Sequence, residues 1–134
     1  MESNLYPSFF SRHFTEHKII VEQMVGGDLV PMIEEGVSSE IIDQECKRVV
    51  EHFSNDIEAL VLGCTHYPVI ESLIQKNLPE GVLCIDPAKE AANGLASYLS
   101  RHPEVEQLLQ QSGTVTFHIT KESIPFHKVG STIW

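Results

Sequence analysis

The chain has 134 residues, 42% of them hydrophobic and 21% charged, with a formal net charge of −10. That length supports one domain with a core of its own, and the acidity excludes a nucleic-acid partner, because no basic stripe is present to neutralise phosphates. No apolar run approaches the roughly 18 residues of a membrane span.

Residues 1–5 lack the basic start and apolar core of a secretory signal. Three cysteines without paired spacing suit a reducing cytosol better than a disulfide framework, so a cytoplasmic location is expected. The first fifteen or so residues carry four aromatics, Tyr6, Phe9, Phe10 and Phe14, and are expected to form a short helix whose rings need a surface to cover. Residues 18–23 read as a strand, and Gly26-Gly27-Asp28 as a break. Residues 29–35 form a short apolar helix or turn stopped by Gly36. Ser38 and Ser39 are N-cap choices for the next helix, along which Ile41, Ile42, Cys46, Val49, Val50 and Phe53 recur at helical spacing.

Residues 59–62 are a short apolar run of the kind buried on both faces in parallel sheets. The run stops at Gly63, and Pro68 fits the first turn of a helix with Val69, Leu73, Ile74 and Leu78 on its buried side. Residues 82–85 repeat the short-strand pattern. Asp86 and Pro87 then supply an N-cap and a first-turn proline for a helix from Ala88 to about Leu99. A further short helix is expected within residues 101–113, and residues 114–120 alternate strictly, as an edge or half-exposed strand does. Alternating strands and helices predict an α/β fold, with a layered, mainly parallel sheet and flanking helices, formed by residues 1–134 as one domain.

Ligands of such sheets bind outside the carboxyl ends of the strands, which is where Cys64, Thr65 and His66 fall. A cysteine acts as base or nucleophile only as its thiolate, which needs a helix N-terminus, a cation or an imidazole nearby. Read from the residues alone, Cys64 is either such a thiol or a small apolar strand-end residue, with His66 a polar cap. Glu34 and Glu35 are either proton-transfer carboxylates beside an apolar cluster or a solvated acidic turn. Cys46 and Cys84 stand in apolar patterns and read as packing residues. The remaining histidines are scattered, and no spacing suggests a metal site.

The segment Leu62-Gly63-Cys64-Thr65-His66-Tyr67-Pro68 closely resembles the second catalytic motif of the bacterial glutamate racemases, within the aspartate/glutamate racemase family. Val30-Pro31-Met32-Ile33-Glu34-Glu35-Gly36 is similar to the family's Val-Pro-x-(Val/Ile)-Glu-x-Gly segment. Ile85-Asp86-Pro87 and the closing residues 117–134 also resemble family segments. The resemblance implies cofactor-independent interconversion of L- and D-glutamate, supplying D-glutamate for peptidoglycan, by two thiols on opposite faces of the α-carbon. It makes Cys64 one of those thiols, Thr65 and His66 substrate-contacting residues, His66 a proton-transfer aid, and Glu34 a carboxylate near that histidine.

The family's first thiol stands in an N-terminal Cys-Asn-Thr segment that this sequence does not contain. The chain thus resembles the C-terminal half of a two-lobed enzyme, and the missing half or a second copy of the chain is expected to cover its apolar face. Three other functions stay open at this level. One is a catalytically inactive remnant or oligomeric association module. The others are an aspartate racemase and a one-thiol decarboxylase of the same superfamily.

Overall fold

Two of the short apolar runs meet as a parallel pair in a computed structural model, which describes residues 4–110, 112–116 and 118. Strand β1 (Ala59–Val61) pairs with β2 (Leu83–Ile85), Ala59 opposite Leu83 and Val61 opposite Ile85. The ladder is flanked by Leu83 N–H donating to Glu58 O at 3.0 Å and Leu62 N–H donating to Ile85 O at 2.9 Å. Parallel strands need a crossover. It is made here by a 3-10 turn (Tyr67–Ile70) running into a helix at Glu71–Asn77.

Ahead of this unit stand α1 (Leu5–His13), α2 (Leu29–Glu35) and α3 (Ser39–Val50); the crossover helix Glu71–Asn77 is α4, and α5 (Pro87–Arg101) and α6 (Pro103–Glu106) follow β2. Gly36 stops α2 in the left-handed conformation, at φ 67°, where a side chain is strained. Asp86 caps α5, its carboxylate accepting from Ala88 N–H at 2.9 Å.

The core is built from two i, i+4, i+8 ridges. Ile42, Cys46 and Val50 line α3, and Ile70, Ile74 and Leu78 line the crossover. Leu29 and Ile33 of α2 close one end, while Leu62 and Val82 close the sheet end. Each such side chain stabilises the fold by about 1.5–3 kcal/mol when buried. The α3–α4 contact also has a polar clasp, in which Asp43 accepts from Lys76 Nζ at 2.6 Å and Asn77 Nδ2 at 2.7 Å.

Lys76, then Asn77, hold the Asp43 carboxyl below its usual range. A depressed carboxylate stabilises the fold above its unfolded pKa, about 3.9, and this contribution is lost as pH falls through the folded value. Asp43→Asn is therefore expected to lower the thermal midpoint at neutral pH. The gap from the parent should close in circular-dichroism melts below about pH 3.9.

Several expectations need correction. Residues 18–23 form no strand; they run as irregular chain, tied down by Glu22, whose carboxylate accepts from Ser54 N at 3.0 Å. The sheet has two strands, so residues 18–23 have no strand to pair with among the described residues. Nor is the sheet buried on both faces, since Val61 is 53% and Leu83 64% exposed. The helix after Pro68 begins as a 3-10 turn, and Ile70, absent from the expected buried side, is one of its core residues. Helix α5 buries none of its residues, Leu95 and Tyr98 included. Of the alternating segment 114–120, residues 114–116 and 118 carry no strand, and the rest lies outside the described residues.

Candidate active site

Leu62 is buried and hydrogen-bonded to β2, so the chain leaves the sheet at a fixed point. Gly63 to His66 then turn, closed by Tyr67 N–H donating to Cys64 O at 3.2 Å and Val69 N–H to His66 O at 3.1 Å. The thiol is thereby presented at the carboxyl end of β1. Cys64 is half-buried and Thr65 exposed. Neither the Thr65 nor the His66 amide N–H is used in a backbone hydrogen bond among the described residues.

Cys64 Sγ lies 3.8 Å from His66 Nδ1, and His66 Nε2 lies 3.1 Å from Glu34 Oε1. An ionised carboxylate only accepts, so Nε2–H donates to Glu34 and the Nδ1 lone pair faces the thiol. This is a base oriented by a third group, the arrangement that activates nucleophiles. The His66 and Glu34 side chains are 28% and 41% exposed. Solvent therefore weakens their attraction, and orientation of the ring is the contact's main effect. Glu34 reaches the histidine because Leu29 and Ile33, on the same short helix, are fixed in the core.

The other two thiols have different surroundings. Cys46 is 1% exposed, and burial, then Asp43 and Glu45, push its thiol up to about 11. Burial also pushes the Cys84 thiol up, followed by Glu71 and Asp86. Neither has a hydrogen bond to a histidine among the described residues. His13 and His52 bond carbonyls one turn back, and His102 bonds Glu104. Among the described residues no group of three or more His, Cys, Asp or Glu is placed to hold a metal ion.

Sequence reasoning passed over Tyr67 and Gly26. Burial, then the charge of Cys64, raise the Tyr67 phenol, whose hydroxyl meets the Gly26 backbone N–H. A Cβ on Gly26 would fall on that hydroxyl and lie 2.8 Å from Cζ. The Gly-Gly pair ahead of an apolar helix was the available signal, since glycine marks close backbone approach.

No family model matches the chain. Individual relatives do. Glutamate racemase 1 of Caldanaerobacter subterraneus subsp. tengcongensis is 32% identical over 115 residues, which cover 84% of this chain and 42% of that protein. The glutamate racemase of Thermoanaerobacter sp. (strain X514) is 38% identical over 86 residues, covering 63% and 33%.

Among solved structures, the glutamate racemase of Francisella tularensis subsp. tularensis SCHU S4 in complex with D-glutamate matches with a TM-score of 0.60 and 36% identity, over 79% of this chain and 40% of that one. That of Thermus thermophilus in complex with β-chloro-D-alanine matches at 0.61 and 33%, over 78% and 40%. The chain spans under half the length of the curated relatives it matches. Sequence and fold together place it in the glutamate racemase family, as a stretch corresponding to part of those proteins.

Proposed function

We propose that this chain, residues 1–134 as one α/β domain, is the C-terminal half of a glutamate racemase site, in which Cys64 moves a proton on one face of the glutamate α-carbon. The observation that carries this reading is the contact chain Cys64–His66–Glu34 at the end of β1. His66 Nδ1 takes the thiol proton while Glu34 holds Nε2–H. The thiolate then takes the α-proton, and the C–H electron pair stays on the substrate, spread into its carboxylate. The Thr65 hydroxyl and the Thr65 and His66 amides stabilise that charge. A thiol on the opposite face returns a proton to the α-carbon, completing inversion without a cofactor.

Cys46, 1% exposed in the core, cannot reach a substrate, and Cys84 lies inside β2 of the same sheet as Cys64, so neither is suited to be the second thiol, facing the opposite side of the α-carbon. It comes from another lobe or from a second copy of the chain, docked over the exposed apolar residues of α5 and the sheet. The three free thiols fit the reducing cytosol as the place of work. A second reading, an association module without turnover, draws on the same exposed face of α5.

Alkylation with iodoacetamide, followed by mass spectrometry, separates the two. Cys64 is expected to react first and Cys46 only on denaturation. Glutamate at about ten times its dissociation constant should slow the Cys64 reaction about tenfold. A Cys64 rate indifferent to glutamate would reject the racemase half-site and leave the association module, which light scattering would register as a dimer.

A further inference from the structure

We propose that Tyr67 is a positioning residue for this site: its phenol, seated on the Gly26 backbone, fixes the Cys64-Thr65-His66 turn against the loop that launches α2, and so sets the His66–Glu34 contact. The proposal rests on the reading of His66 and Glu34 given above.

Four observations close a ring of contacts. The Tyr67 N–H donates to Cys64 O, so Tyr67 belongs to the turn that carries the thiol. Its side chain packs against the core, and its hydroxyl fills the space where a Gly26 side chain would stand. Gly26 O in turn accepts from Leu29 N–H at 3.1 Å, which begins α2, with Leu29 only 1% exposed. The loop is also in contact on its other side. A Cβ on Gly27, held at φ 53°, would lie 2.9 Å from both Arg48 Nη2 and Glu45 Oε1, and the Asp28 backbone N–H meets the Glu45 carboxylate.

Tyr67 therefore links the thiol-bearing turn to the loop at the start of the helix that carries Glu34. Interiors are packed closely enough that a shift at one end of such a link is felt at the other.

The test reads the His66 ring itself. In 15N-histidine-labelled protein at about pH 8, where an ordinary imidazole is neutral, ring nitrogen shifts report which nitrogen holds the proton. The parent is expected to show the Nε2–H tautomer in large excess. Glu34→Ala should cut that excess about tenfold, the weight of one hydrogen bond to a charged group. Tyr67→Phe keeps the ring and the fold, and should cut it about threefold in the same direction. Gly26→Ala should reproduce the Glu34→Ala spectrum, by expelling the phenol.

A Tyr67→Phe spectrum identical to the parent, beside a clear Glu34→Ala effect, overturns the role of Tyr67 alone. A Glu34→Ala spectrum identical to the parent overturns the His66–Glu34 contact, and the role of Tyr67 with it.

Discussion

Cys64→Ser is expected to slow exchange of the glutamate α-proton by about a thousandfold or more, near the top of the range for a positioned acid–base group. The substitution changes one atom and leaves the turn intact, since Cys64 O and not Sγ closes it. What is lost is the thiol itself, a far better proton donor and acceptor pair than a hydroxyl. Cys46→Ala and Cys84→Ser serve as controls and should leave exchange by the folded protein within about threefold of the parent. Proton NMR of glutamate in D₂O reads all three.

His66→Ala is expected to cost about a hundredfold in the same assay, because the thiol then loses the base 3.8 Å away. Glu34→Gln should cost only about tenfold, since an amide oxygen still accepts from Nε2–H but without the charge. The double variant His66→Ala/Glu34→Gln should be no slower than His66→Ala, because the carboxylate acts through the ring. Additive losses would mean that Glu34 meets the substrate independently, and would break the relay into two unconnected groups.

The sequence was informative where local rules decide the structure. Gly36 in the left-handed region, Asp86 as a cap and the i, i+4 ridge from Ile42 to Val50 all follow from a few neighbouring residues. The strand pattern of residues 18–23 was present but came to nothing. A strand exists only when paired, and the described residues offer it no partner. The apolar runs at β1 and β2 likewise announced burial on both faces, while Val61 and Leu83 are exposed.

At the site, the Cys64–His66 proximity followed from their spacing. The approach of Glu34 depended on the family resemblance, because it comes from a helix packed at long range. Tyr67 on Gly26 was illegible for the same reason. Nothing near either residue in the sequence says that the hydroxyl of one fills the missing side chain of the other.

The measurement that bears most directly on the account is α-proton exchange of L- and D-glutamate by the 134-residue chain itself in D₂O. A single thiol facing one side of the α-carbon predicts deuterium uptake into one enantiomer, with retention of configuration and complete dependence on Cys64. Uptake into neither enantiomer, by protein that is folded and still binds glutamate, would contradict it.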